Sequence, residues 1–352
     1  MAAVRPFRAL RYDEAVAGPL ELLVAPPYDV IGPEERARLA GQAQYNIVHL
    51  TLPDSEEEAA ASLAEWRESG VLAREAEPAF WWLEQDYEGP DGVRRRREGF
   101  VAALRVEPYE NRVVLPHERT HAGPKEGRLR LLRATRTHLE PIFLLWDGTI
   151  ELDGLGEPDL EADEGGVVSR LWRLDAEFGD ALSEELRDAQ LLIADGHHRY
   201  ETALAFHEED GSEESAWLLA VIVPTGQEGL TIFPTHRLAE SVNGAAGEPI
   251  EPPGDVLPGP VLYRDGRYEL LAGEGLDPEL VERLAPAGVT YTPSREEAVA
   301  AVDRGEAEAA FLVRPTRIED VWAVARRGDV MPQKSTFFYP KLTSGLLLLP
   351  LD

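Results

Sequence analysis

The chain has 352 residues, is 43% apolar, and carries 65 acidic against 35 basic side chains, a formal charge of −30. Such a field repels nucleic acid and anionic membranes, so any phosphate ligand needs a local positive pocket. Cysteine is absent, which excludes disulfides, thiolate metal sites and a Cys nucleophile.

The N-terminus, Met1 to Leu10, lacks the apolar core of a signal peptide, and no apolar run approaches the ~20 residues of a membrane helix. A cytoplasmic protein is expected. Phe7 to Arg11 predicts a strand, followed by the proline-stiffened segment Val24 to Ile31 and a helix opened by Gly32-Pro33. Tyr45 to Leu50 predicts a short strand and Ser55 to Ser69 a charged helix. Phe80 to Tyr87 and Val93 to Leu104 predict a β-hairpin. The arginine run Arg94 to Arg97 lies in its second arm, where alternate side chains point to opposite faces, a poor nucleic-acid stripe. Pro116 to Pro124 reads as a loop and Lys125 to His138 as a helix. Pro141 to Trp146 reads as a strand and Asp147 to Gly166 as an acidic surface connection. Leu171 to Ala189 predicts a helix, Leu191 to Ala194 a buried strand, Tyr200 to Glu208 a helix and Trp217 to Pro224 another strand. Gly and Pro accumulate from Val242 to Pro260 and mark a boundary. Beyond it the pattern predicts a hairpin (Val261 to Leu271), a helix (Pro278 to Leu284), a strand (Val289 to Thr292) and a helix (Ser294 to Gly305). A strand (Ala309 to Val313), a helix (Ile318 to Arg327) and a final apolar strand complete it. The alternation predicts an α/β or α+β chain with a mixed sheet. The expected domains are a core over 1–241 with an inserted region at about 70–190 and a C-terminal α/β unit over 242–352. The last segment of that unit, 331–352, is expected to return to the core.

The strongest chemical signal is Leu191-Leu192-Ile193-Ala194-Asp195-Gly196-His197-His198-Arg199. A buried strand ends, glycine turns the backbone, and a helix begins with its amides and positive dipole end available to an anion. His197, His198 and Arg199 add donors at that terminus, and Asp195 suits a helix cap, a Mg²⁺ ligand or a general base. The second signal is a scarcity. Three lysines, Lys125, Lys334 and Lys341, stand against thirty-two arginines, and all three sit in short polar stretches marked by Gly or Pro. A retained lysine suits a compact, mobile ammonium placed beside a phosphate.

His117-Glu118-Arg119-Thr120-His121 spells the H-E-x-x-H pattern of zinc peptidases, but Pro116 and Gly123-Pro124 leave no room for the long helix that chemistry needs. A mixed metal site on His117, Glu118 and His197 or His198 stays open as an alternative. Pro332 to Pro340 places Lys334, Ser335 and Thr336 in a loop suited to clamping an anion or carboxylate. Asp29 is a candidate carboxylate or a turn cap, and Asn46, one of three asparagines, a substrate contact or a turn residue. His49, His138, His207 and His236 read as structural.

Asp195-Gly196-His197-His198-Arg199 resembles the phosphate-binding signature of the ParB/sulfiredoxin-like fold, in the form carried by archaeal free-serine kinases. Over its length the chain resembles the family called domain of unknown function ten-fifteen. The matching segments are Ala25 to Val30, Tyr45 to Val48, His117 to Thr120 with Gly123 to Lys125, Asp195 to Arg199, Met331 to Thr336 and Tyr339 to Lys341. The kinase resemblance implies a phosphate-binding core with nucleotide phosphates, ATP or ADP, on the Gly196 turn, together with Mg²⁺. Asp195 would then lie near the reacting oxygen. Phosphoryl transfer needs positive charge spread over the moving group and a carboxylate to orient the nucleophile. Lys125, Arg128, Lys334, Lys341 and Arg199 are candidates for the charge, and Asp195 or Asp29 for the carboxylate. His198 and Glu118 complete the catalytic candidates. Gly196, His197, His117, Ser335, Thr336 and Asn46 join the binding set.

The reaction expected is phosphoryl transfer to or from a small hydroxy-amino acid, serine first, in either the kinase or the phosphatase direction. The alternatives are a metal-dependent hydrolase and a non-catalytic nucleotide switch. The expected partner is a small molecule, with neither nucleic acid nor membrane, and the oligomeric state is open.

Overall fold

The computed structural model describes the chain apart from residues 119–121, 151, 153, 175, 243, 245, 274, 286 and 287. It forms two compact units. One comprises Met1–Pro116, Thr120–Leu230 and Pro340–Asp352; the other comprises His117–Arg119 and Thr231–Tyr339.

The first unit is built on a nine-stranded mixed sheet. Its order runs Val114–Leu115, Leu191–Asp195, Ile142–Trp146, Trp217–Pro224, Arg94–Arg105, Trp81–Glu88, Val167–Arg173, Leu160–Glu164, with Val4–Arg5 alongside Arg94–Arg105. Two pairings are parallel, Leu191–Asp195 with Val114–Leu115 and Trp217–Pro224 with Ile142–Trp146; the others are antiparallel. Alternation sets the two faces. Phe100, Ala102, Leu144, Ile193, Leu218 and Ile222 point to one core, which also buries Tyr200 and Ala203 of the helix His197–Asp210. The opposite face meets the C-terminal segment, where Leu342, Leu346 and Leu347 pack near Leu83, Val101 and Val221.

The expected hairpin forms, with Gln85 opposite Arg97 and Tyr87 opposite Arg95. Its arginines alternate as the strand period demands. Arg96 pairs with Asp86 at 2.9 Å and Glu84 at 3.2 Å, whereas Arg97 is 1% exposed. Several expected elements differ. The helix expected over Lys125 to His138 is Ala122–Thr135, and Thr137–His138 is a strand paired with Leu349–Pro350. Tyr45 to Leu50 is not a strand: the Asn46 side chain accepts from the Val48 amide at 3.0 Å and closes a turn into the short helix Val48–Thr51. Leu171 to Arg173 is strand rather than helix, because Leu171 and Trp172 pair with Leu83 and Trp82. The acidic connection also contains a strand, Leu160–Glu164, joined to Val167–Arg173 through Gly165 and Gly166. Both glycines have positive φ, 61° and 89°, the geometry of the two-residue hairpin turn that splices right-twisted strands. In the last two cases strand pairing overrode local propensity.

The second unit holds a six-stranded antiparallel sheet ordered Glu248–Ile250, Arg267–Leu270, Val261–Arg264, Ala309–Leu312, His236–Ala239, Val289–Thr292. The helices Asp277–Leu284, Arg295–Asp303 and Ile318–Arg327 belong to it, the second capped by Ser294 through the Glu297 amide. A separate ribbon pairs Thr231–Phe233 with Phe337–Tyr339.

Candidate functional site

In the first unit the strand Leu191–Asp195 shifts register between Ile193 and Asp195, so that Asp195 stands opposite Phe143. Gly196 follows with φ 93°, and a Cβ there would lie 2.9 Å from Ile142 Cγ2 and 3.2 Å from Arg199 Nε. Glycine is required both by backbone angle and by space. The helix His197–Asp210 starts immediately, with Gly196 as N-cap and no side-chain cap. Asp195 therefore does not cap the helix. Its carboxylate turns to two cations instead. Arg199 Nη2 donates to Oδ2 at 2.7 Å, and Lys341 Nζ donates to Oδ1 at 2.5 Å.

Lys341 is placed by the C-terminal segment, which is stitched to the N-terminal part of the unit by backbone pairs. Leu348 and Leu10 exchange bonds at 2.9 and 3.0 Å, and Ser344 and Ala25 at 2.8 and 3.2 Å. The same Ala25 stretch delivers Tyr28, whose amide donates to Glu140 Oε1 at 2.9 Å; Ser344 Oγ donates to the same oxygen at 3.1 Å. Glu140 is buried, with Arg128 Nη1 3.9 Å away. The Arg128 guanidinium lies 4.0 Å over the Tyr28 ring and donates to the Thr51 carbonyl at 2.7 Å. Arg199 also donates to the Pro141 carbonyl.

These charges act on one another. Burial works to raise the Asp195 pKa, but Lys341 and Arg199, with His197 behind them, hold its carboxyl well below the usual carboxylate range. Burial works against the Arg199 charge too, yet Asp195 and Glu140 keep it firmly protonated. Glu140 goes the other way: burial pushes it up against the pull of Arg199 and Arg128. Burial likewise raises Tyr28. Beside Glu140 and Arg199 lies a small cavity of about 50 Å³, lined also by Arg128, His138 and Thr202.

The first unit thus brings Asp195, Gly196, His197, His198, Arg199 and Lys341 to one strand-to-helix turn, with Arg128 tied in through Glu140. The exposed Asp29 bears electrostatically on Arg199 and Glu140. Lys125 instead faces Glu201 at 3.6 Å. Asn46 is fully buried, donating to the Leu22 and Val24 carbonyls at 2.8 and 3.0 Å while accepting from Val48. Its polar groups are committed to backbone, which is the turn role.

The second unit gathers the other candidates around the Met331–Tyr339 segment. Met331 donates its amide to the His117 carbonyl at 2.8 Å, and Glu118 bridges Met331 in parallel. His117 Nε2 lies 2.8 Å from Thr336 Oγ1. Ser335 Oγ donates to the Pro332 carbonyl at 2.6 Å, and its own carbonyl accepts from Thr316 at 2.7 Å. Lys334 is exposed, has φ 56°, and presents its carbonyl to buried Arg237 at 3.2 Å. His121 of the H-E-x-x-H pattern lies outside the described residues. Among the described residues, no three His, Asp or Glu side chains are placed to hold a metal ion.

Sequence reasoning missed Glu140, Tyr28, Ser344 and Arg237. Tyr28 lies inside the Ala25 to Val30 segment without being singled out, and Glu140 left a trace as a carboxylate wedged between the apolar Leu139 and Pro141 ahead of an apolar strand.

The family model described as Protein of unknown function (DUF1015) matches residues 4–251. The chain belongs to this family. Among solved structures it is similar to "Free serine kinase in complex with AMP" at 16% identity and TM-score 0.38, covering 66% of this chain and 89% of that one. It is similar to a conserved hypothetical protein from Pyrococcus furiosus at 16% identity and TM-score 0.36, covering 66% and 92%. It is also similar to C-terminally truncated SbnI from Staphylococcus aureus at 12% identity and TM-score 0.42, covering 71% and 87%. No curated protein matches the chain. Among the described residues, no helix is long and apolar enough to cross a membrane.

Proposed function

We propose that this DUF1015 chain is a phosphotransferase acting on a small hydroxy-amino acid, with serine or phosphoserine the first candidate. The observation that carries the reading is the Lys341–Asp195–Arg199 triad at a glycine turn that opens a helix. A helix N-terminus with backbone amides, two imidazoles and two cations is a phosphate cradle by elementary electrostatics. The motif resemblance to free-serine kinases points the same way. In this reading ATP or ADP supplies the phosphoryl group, bound by Gly196, His197 and His198.

In the kinase direction the acceptor hydroxyl oxygen bonds to the terminal phosphorus, the bond to the leaving nucleotide oxygen breaks, and the hydroxyl proton passes to a carboxylate. Asp195 suits that proton poorly, because both of its oxygens already accept from cations. Its task is to fix the Lys341 ammonium and Arg199. The base role goes to Asp29, exposed beside the Arg199 and Glu140 charges. With both Asp195 oxygens facing cations, Mg²⁺ would arrive on the nucleotide's own phosphates with few protein ligands, spreading their charge. In the second unit, Lys334, Ser335, Thr336, His117 and Glu118 form a polar group of their own, to which we assign anion binding, Lys334 and Thr336 foremost.

The test is product formation from serine or phosphoserine with ATP, ADP or pyrophosphate and Mg²⁺. Phosphoserine or serine should appear with at least one donor or acceptor. Folded protein that turns over no pair in either direction removes this reading.

A further inference from the structure

The hairpin arginines supply one group the reaction above does not use. Arg94, Arg95 and Arg96 each face a carboxylate, Glu88, Asp91 and Asp86. Arg97 does not. It lies opposite Gln85 in the sheet, donates Nη2 to Gln85 Oε1 at 2.5 Å, and reaches across the strand Trp217–Pro224 to set its guanidinium 4.6 Å from the Phe143 ring. Gln85 is held in that role by its own donation to Ser169 Oγ at 3.1 Å. Arg97 Nε and Nη1 are buried with no hydrogen-bond partner among the described residues. Burial lowers its pKa to about 10, so it remains a cation at neutral pH.

A buried guanidinium with unused donors is unfavourable unless something answers it. Phe143 is the residue paired with Asp195, and the Asp195 charge acts on Arg97. The surrounding charges do not balance. Asp195 is the carboxylate whose charge reaches Arg97, and its two oxygens already accept from Lys341 and Arg199, so three cations share one carboxylate. The cluster is also open at one point, because the Asp195 and Lys341 side chains keep 15% and 19% of their surface exposed.

We propose that Arg97 is the inner anchor for an oxyanion of the bound substrate, a phosphate or carboxylate group entering beside the Asp195–Lys341 pair. The proposal rests on the site assignment made under Proposed function, but not on the direction or occurrence of phosphoryl transfer. It has a distinctive signature. In the free protein two Arg97 donors are unused and its charge meets only Gln85, the Phe143 ring and a carboxylate already shared by two cations, so its removal should not lower stability. In the complex it answers the ligand, so its removal should weaken binding.

The experiment is calorimetric titration of the full chain with inorganic phosphate, phosphoserine and serine, for wild type, Arg97→Met and Arg97→Lys, alongside melting of each free protein. Wild type should bind at least one ligand. Arg97→Met should bind it at least tenfold more weakly while melting no lower than wild type, and Arg97→Lys should fall between. A loss shared by phosphate and phosphoserine assigns the phosphate group; a loss shared by phosphoserine and serine assigns the carboxylate. Arg97→Met binding within twofold of wild type overturns the proposal, as does wild type binding none of the three. Should Arg97→Met fail to fold, Arg97→Lys decides, and affinity equal to wild type overturns it. Serine turnover with an indifferent Arg97 would sink this inference alone. Arg97-dependent binding without turnover would sink the phosphotransfer reading alone.

Discussion

Lys341 Nζ stands 2.5 Å from Asp195 Oδ1, joining positions 146 residues apart in the chain. Asp195 ends a central strand, and Lys341 lies on a C-terminal segment held by backbone pairs to Leu10 and Ala25. Lysine at that position is a compact ammonium, able to meet a carboxylate and a phosphate oxygen together.

Lys341→Met should therefore leave Asp195 with Arg199 alone. Removing one partner of a largely buried ion pair costs about 3–5 kcal/mol, which urea unfolding should show as a lower midpoint with an unchanged slope. Lys341→Arg should restore part of the stability but not ligand affinity. Full recovery of both would mean that the ammonium has no special role.

Arg199 and Lys334 should separate. Sequence reasoning expects both alanine variants to weaken phosphate-ligand binding without unfolding. Arg199 is buried, bonded to Asp195 and to the Pro141 carbonyl, so Arg199→Ala should destabilise by about 3–5 kcal/mol as well as weaken binding. Lys334 is exposed, and Lys334→Ala should leave the melting temperature within a degree or two while lowering affinity, a change of about ±0.5 kcal/mol in stability. An Arg199→Ala protein as stable as wild type contradicts the buried pairing.

Stability should fall with acid in two stages. His138 and His236 are buried, and burial holds each down to about 4. Between pH 6.5 and 4 the unfolded chain takes up these protons and the folded chain does not, so stability is full above that window and declines as pH drops through it. Each contributes up to about 3 kcal/mol at that scale. Asp195 acts lower: its folded carboxyl lies below the unfolded value, so its contribution is present above about pH 4 and is lost below. His138→Gln should shrink the first stage by roughly half, leaving the His236 share, and Asp195→Asn should flatten the second, both read from unfolding midpoints against pH. An unaltered profile in His138→Gln would show that this imidazole titrates normally.

Much of the turn at Asp195 was legible because it is local. A run of apolar residues, a glycine and two histidines followed by Arg199 specify strand, left-handed turn and helix within one short stretch. Asp29, Arg128 and Lys341 were legible only as residue types in marked segments. Their partners were not, since nothing in Glu140 or Tyr28 foretells which distant backbone or side chain will meet it. Leu171-Trp172 and Tyr45 to Leu50 were misread for a related reason. The first has strand neighbours, Leu83 and Trp82, that lie far off in the chain. The second is bent by one buried asparagine whose three bonds include two to distant carbonyls.

Read alone, the sequence determined the acidic surface, the absence of thiol chemistry, the hairpin, most helices and the glycine turn. Each follows from composition or from short-range sterics and periodicity. Only the tertiary structure decided that Asp195 is an anchor for cations rather than a helix cap, and that Asn46 is committed to backbone. It alone showed that Arg97 is buried with donors to spare. Those outcomes depend on which charges are desolvated together, and desolvation is a property of packing between distant segments.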